Sequence, residues 1–213
     1  MTTVGQTSGR ATYRHGDLRQ ALIEAGLELA REGGPAAVIL RETTRRAGVS
    51  PNAAYRHFAD RKALLDAVCS TCQSLVAIAI EDEQARQPDA DDPLVQARLH
   101  LRGVGVGYLN FARAEPGLFQ TAFSASSDLE SATSAARAGN SGLTPFQLLT
   151  AAIDGLAAAG GLPQERRQGA EFLAWSSVHG LATLLIDGPL RALPAPFIDQ
   201  LTDRLIDMVE QGL

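Results

Sequence analysis

Residues 38–62 constrain the fold more than any other stretch, because their turn chemistry admits few readings. Leu40 to Ala47 carries a helical pattern that stops at Gly48, and only glycine enters the left-handed conformation past a helix end without steric cost. Val49 then points back into the angle between two helices. Ser50 suits an N-cap, accepting from orphan N–H groups, and Pro51 fits the first helical position, where its missing N–H costs nothing. A short helix, a tight turn containing Gly and a second short helix make a helix-turn-helix, the unit that enters the major groove of DNA.

The polar residues of this unit have the chemistry for that task. The N-terminal residues of the second helix reach base edges; here they are Ser50, Pro51, Asn52 and Ala53. Asn bonds bidentately to the N6/N7 edge of adenine, and Pro or Ala can touch a thymine methyl. Tyr55 and His57 follow at positions that can donate to phosphates. Arg41 on the first helix, and Arg61 and Lys62 at the start of the next, complete the candidate DNA contacts. Phe58 and Leu64 are apolar where the unit packs on itself.

Charge is divided along the chain in the same sense. The net charge of −5 argues against a nucleic-acid partner. However, residues 1–62 hold 10 Lys/Arg against 6 Asp/Glu, and residues 63–213 hold 9 against 18. The basic excess therefore lies with the helix-turn-helix, where phosphate contact requires it.

Ala47-Gly48-Val49-Ser50, then Tyr55-Arg56-His57-Phe58, then Arg61 ahead of Ala63-Leu64-Leu65 resemble the DNA-binding signature of the TetR family of transcriptional regulators in order and spacing. The resemblance implies that Tyr55, His57 and the basic residue at 61 hold the phosphate backbone. Thr43 and Thr44 depart from the family's usual valine and alanine, and Arg61 from its usual lysine. Further on, Tyr108-Leu109-Asn110-Phe111-Ala112, Pro116-Gly117-Leu118-Phe119, Phe123 and Trp175-Ser176-Ser177-Val178-His179-Gly180 resemble the C-terminal domain type named for its Trp, His and Gly. The resemblance thus spans nearly the whole chain. It implies an all-α fold: a three-helix helix-turn-helix domain at 13–62 after a flexible arm at 1–12, then a helical ligand-binding and dimerisation domain at 63–213. It further implies a homodimer through the last two helices, near-palindromic double-stranded DNA and a small-molecule effector as partners, and repression as the activity.

The remaining elements follow from periodicity and punctuation. Asp17–Glu32 reads as a helix ended by Gly33-Gly34-Pro35, and Arg61 to about Gln84 as one long helix. Glu81 through Asp92 is acidic and reads as a solvated loop, with Asp92-Pro93 opening the next helix. Residues 124–142, rich in Ser, Ala and Gly, read as a mobile loop. Helices are expected from Pro145 to about Ala159, Gln164 to about Ile186 and Pro196 to about Glu210.

Several motifs invite other chemistry. Cys69-Ser70-Thr71-Cys72 lies inside a helix, with neither the preceding strand of a redox pair nor further zinc ligands; two buried small residues is the preferred reading. Gly103-Val104-Gly105-Val106-Gly107 lacks the third glycine of the dinucleotide fingerprint and a strand leading in, so close helix contact or room for a ligand explains it better. Trp175 and His179 share a helix face, either as walls of a ligand pocket or as core, the latter preferred. His100, Tyr108, Phe111, Phe119, Phe123 and Phe146 can line the same cavity, though periodicity does not separate cavity from core. No catalytic constellation, metal site or cofactor motif is found, so an enzyme is disfavoured; a DNA-binding architectural protein without a ligand is the other alternative. No apolar run approaches the roughly 18 residues of a membrane span, and a soluble cytoplasmic protein is expected.

Overall fold

The computed structural model describes residues 15–124 and 130–213. The expected arm at 1–12, Arg10, Tyr13 and Arg14 lie outside the described residues, as does 125–129 of the expected mobile loop. Among the described residues there are helices and no strands: α1 (His15–Ala37), α2 (Leu40–Arg46), α3 (Pro51–Ala54), α4 (Arg61–Arg86), α5 (Pro93–Ala114), α6 (Pro116–Ala122), α7 (Pro145–Ala158), α8 (Gln164–Arg167), α9 (Ala170–Ile186) and α10 (Ala195–Gly212).

Four helix starts are set by side-chain caps. Ser50 accepts from Ala53 N, and Asp60 from Ala63 N. Asp92 accepts from Leu94 N and Val95 N ahead of Pro93. Thr144 and Gln147 form a reciprocal capping box ahead of α7. Within α1 the helical geometry breaks at Gly33 and Gly34, the latter at φ +64°, so the periodic run ends where the glycine pair predicts.

Three expectations need correction. Helix α4 continues through Arg86, beyond the expected end near Gln84, so Glu81, Asp82 and Glu83 belong to it and the acidic loop begins later. Glu81 accepts from Asn140 N, Ser141 N and Ser141 Oγ, which gives its carboxylate partners and holds it below the ordinary carboxylate range despite partial burial. The same bonds, with Ser74 Oγ donating to Ala138 O, pin the described end of the 124–142 stretch, which also forms short 3-10 turns at Glu130–Thr133 and Ala135–Arg137. The helix expected over 164–186 is broken at Gly169, whose φ is +80°.

Helix α4 is the spine. Leu64, Val68, Cys72, Val76 and Ile80 are fully buried along it, against α1, α5, α6 and α7. By length and composition α4 could cross a membrane, contrary to the expectation that no segment approaches a span; its buried side makes it the core helix of this fold. Cys69 and Cys72 are buried free thiols. Cys69 Sγ donates to Ala122 O, and burial pushes the Cys72 thiol up to about 12, as two core residues require.

Helices α4 and α5 touch backbone to backbone. A Cβ on Gly103 would lie 3.0 Å from Gln84 Cα, and one on Gly107 would lie 2.8 Å from Ala79 O and Ile80 Cα. Gly117 seats α6 on α1 in the same way, its absent Cβ falling 2.3 Å from Ala30 O. Helix α5 carries all three of its interior glycines without a break; the packing they permit replaces the kink that their low helix propensity suggests. Gly117→Ala is therefore expected to destabilise the protein by about 1–3 kcal/mol through backbone overlap, as read by urea denaturation. Gly155→Ala in α7, where a Cβ meets nothing within 4 Å, is expected to stabilise it by about 0.5–1 kcal/mol. Equal effects from the two would contradict the packing described.

Candidate DNA-reading face and cavity

The helix-turn-helix is held by three devices from the sequence itself. Gly48 sits at φ +68°, and Val49 N closes the turn by donating to Thr44 O at 3.0 Å. Ser50 and Pro51 then start α3, whose hydrogen bonding continues as turns as far as Phe58 N→Ala54 O, 2.9 Å. Thr43 and Thr44 are buried, but their hydroxyls donate to Ile39 O and Arg41 O, each at 2.9 Å. These residues therefore pack without an unpaired polar atom. Phe58 and Leu64 are buried beneath the unit, and the Arg19 guanidinium lies over the Phe58 ring at 5.3 Å.

The outward face carries most of the predicted contacts. Arg41, Ser50, Pro51, Asn52 and Tyr55 are exposed, while Ala53 and His57 are half-buried. Tyr55 exposes 56% of its surface, a large value for an aromatic residue with no packing role. Among the described residues Arg41 and Arg56 have no ion-pair partner, whereas Arg45 is tied to Glu42 and Arg46 to Glu32 and Glu28. Arg56 was not among the predicted contacts. Its place between Tyr55 and His57 in an exposed turn was the available signal.

Arg61 and Lys62 are committed elsewhere. Arg61 donates from Nε to Val38 O and from its terminal nitrogen to Pro35 O, each at 2.8 Å. The planar guanidinium fork holds two carbonyls of the α1–α2 link at once, which a lysine ammonium could not do with the same geometry. Lys62 pairs with Asp66 at 2.7 Å on an exposed helix face.

In the larger domain a cavity of about 320 Å³ lies between α4, α5, α7, α9 and α10. Of the candidates named from sequence, Tyr108, Phe123, Phe146 and Trp175 line it. Four predicted residues do not. His100 is exposed and bonded to Gln96. Phe111 is half-buried against the core. Phe119 is buried behind Tyr108, edge to face at 5.2 Å, and His179 lies behind the same residue, its Nδ1 2.8 Å from the Tyr108 hydroxyl. Trp175 Nε1 donates to that hydroxyl at 3.3 Å. Trp175 thus lines the cavity, and His179 stands behind Tyr108. Burial holds His179 below its ordinary value, leaving the ring neutral at neutral pH.

The lining residues missed from sequence are aliphatic or come from distant elements: Gln73 and Ile80 from α4, Leu101, Val104 and Gly105 from α5, Leu149 from α7, and Ile206 and Val209 from α10. A Cβ on Gly105 would lie 3.2 Å from Ile206 Cγ1, so this glycine faces the cavity side while Gly103 and Gly107 face α4. Ser176 and Ser177 both donate to Leu173 O, and His179 faces Tyr108; the three make no nucleophile–base pair. Among the described residues no group of three or more His, Cys, Asp or Glu is placed to hold a metal ion.

Helix α6 lies between cavity and reader. Phe119, and Phe123 just past its end, pack on Tyr108 and His179, while Gly117 rests on α1. Arg31 of α1 pairs with Glu115 at 2.9 Å, the residue at the N-cap position of α6. Gln73 Nε2 of α4 donates to Ala122 O at 2.6 Å.

Comparison with known proteins follows the same division. Residues 22–68 match a family model described as bacterial regulatory proteins, tetR family. Residues 101–209, just over half of the chain, match one described as tetracyclin repressor-like, C-terminal domain. Among solved structures, a protein of unknown function from Rhodococcus sp. RHA1 is 25% identical, with a TM-score of 0.72 over 96% of this chain and 99% of its own. A putative tetR family transcription regulator from Shewanella sp. PV-4 is 19% identical, with a TM-score of 0.60 over 89% and 95%. A TetR variant from Acinetobacter baumannii AYE in complex with minocycline is 17% identical, with a TM-score of 0.59 over 91% of each chain. No curated protein matches the sequence.

The two arginines near the reader are expected to separate by experiment. Arg61→Ala should lower stability by about 1–2 kcal/mol by releasing two carbonyls from a charged donor, whereas Arg56→Ala should stay within about 0.5 kcal/mol. Urea denaturation of the two variants checks this, and equal stabilities would contradict the anchoring role of Arg61.

Proposed function

As the chain belongs to the TetR family of bacterial regulatory proteins, we propose that it is a sequence-specific transcriptional regulator that binds DNA as a dimer and answers to a small molecule. The observation that carries this reading is the outward face of the helix-turn-helix: Asn52 exposed on a capped four-residue helix and Tyr55 exposed at its C-terminal end, flanked by Arg41 and Arg56. Asn52 is assigned to a base edge, with Ser50, Pro51 and Ala53 beside it. Tyr55, His57, Arg41 and Arg56 are assigned to the phosphate backbone. Arg61 acts on phosphate through the position of the α1–α2 link rather than by reaching out itself.

Dimerisation is assigned to α9 and α10. Phe172, Leu173 and Leu184 of α9 and Phe197 and Met208 of α10 are exposed, an unusual concentration of large apolar side chains on two adjacent helices. Two copies would place their recognition helices roughly 34–36 Å apart, one turn of DNA, so the operator would be near-palindromic. The cavity is the effector site in this reading. An effector that moves Phe119 and Phe123 moves α6, and α6 rests on α1 and on the spine that leads into the reader. Coupling of this kind is typically about 1–3 kcal/mol and reciprocal. Repression relieved by the effector, in the cytoplasm, is the regulatory sense proposed. The domains are read as 13–62 for the reader and 63–213 for effector and dimer, with α4 continuous across the boundary.

Fluorescence anisotropy on duplexes from the gene's own upstream region tests the reading. Tyr55→Ala, Arg41→Ala and Arg56→Ala should weaken binding to all sequences alike, and the two arginine variants should also flatten its dependence on salt. Asn52→Ala should lose discrimination at one base position, with about 1–3 kcal/mol at stake. Leu173→Glu should give a monomer in sedimentation and abolish tight operator binding. Binding that ignores sequence, or a dimer indifferent to Leu173→Glu, contradicts the corresponding part.

A further inference from the structure

Taking the cavity as the effector site, we infer that its ligand is a small aromatic molecule carrying no net charge, with one polar group that meets the Tyr108 hydroxyl. Among the described residues, no Asp, Glu, Lys, Arg or His side chain lines the cavity. An ion entering it would leave water without an opposite charge in contact, and burial of an unpaired charge is strongly unfavourable. Arg137, itself buried, stands one residue removed, with a terminal nitrogen 3.4 Å from Oε1 of the lining residue Gln73.

The wall chemistry sets the rest. Phe123 and Phe146 each lie within about 6.3 Å of the Trp175 ring, and Phe123 lies 5.9 Å from Tyr108. Rings at these separations, tilted toward one another, are the arrangement in which aromatic partners gain beyond their buried area. The volume of about 320 Å³ is at the small end of the roughly 300–1,000 Å³ common for ligand pockets, which favours two or three rings over a long chain or a bulky conjugate. Polar recognition falls to Tyr108. Its oxygen accepts from Trp175 Nε1 and shares a hydrogen bond with His179 Nδ1, and a phenolic oxygen with its proton supports three such bonds in all. The third belongs to the ligand.

Isothermal titration of the full-length protein at pH 7 with naphthalene, 2-naphthol, 2-naphthoate and 2-naphthylmethylammonium tests the inference. Naphthalene and 2-naphthol are expected to bind, and each ion at least tenfold more weakly than 2-naphthol. In Tyr108→Phe, 2-naphthol should weaken about five- to tenfold, the size of one hydrogen bond, while naphthalene is unchanged and so reports an intact cavity. An ion that binds as tightly as 2-naphthol, or failure of all four to bind, overturns the inference. Equal losses of naphthalene and 2-naphthol in Tyr108→Phe overturn the role given to the hydroxyl. Operator binding by the same preparation is measured separately: its loss would sink the proposed function, and its persistence beside a failed titration would sink only the ligand class.

Discussion

Backbone contact at three glycines holds the two halves of this molecule in one arrangement. Gly103 and Gly107 lay α5 directly on α4, and Gly117 lays α6 on the end of α1. With no side chain between, there is little soft material to absorb a shift; displaced helices must move together or separate. The cavity lies on the other side of these contacts, against α5 and just past α6, and the reader lies beyond α1 and the start of α4. In the proposed reading, a rearrangement of Tyr108, Phe119 and Phe123 on binding an effector would reach α1 and α4 through these contacts.

Electrostatics divides the molecule differently from its packing. Most basic side chains near the reader are already engaged, Arg45 and Arg46 by glutamates and Arg61 by carbonyls, so the formal basic excess of the first 62 residues overstates what faces a phosphate. Arg41 and Arg56 are exposed there with no ion-pair partner among the described residues. On the far side, Arg98, Arg102 and Arg113 of α5 pair with Glu210, Asp203, Asp207 and Asp199 of α10. Half-exposed pairs of this kind contribute modestly each, but together they fix α10 across the cavity that Ile206 and Val209 close.

What the sequence made legible was local. Gly48, Ser50-Pro51, Asp92-Pro93 and Thr144-Pro145 each determine a helix end with residues a few positions away, and each appears where turn chemistry puts it. Non-local partners were not legible. Nothing near Glu81 reveals that Asn140 and Ser141 will solvate its carboxylate and let α4 run on, and nothing near Arg61 points to the carbonyls of Pro35 and Val38. The aromatic walls could be named from family resemblance, but separating Tyr108 and Trp175 from Phe111, Phe119 and His179 requires knowing which side of each helix meets α10. Gly169 is not legible as a break, because a single glycine between the polar Gln164–Gln168 and the apolar residues after it is compatible with a continuous helix until its φ is known.

The central claim is that two copies of a short, capped helix read DNA in register. Selecting bound sequences from random duplexes and footprinting the winner with hydroxyl radicals tests it most directly. The account predicts a near-palindromic site protected in two patches whose centres lie one helical turn apart, roughly 34–36 Å. A single protected patch, or a selection that converges on no sequence, would contradict it.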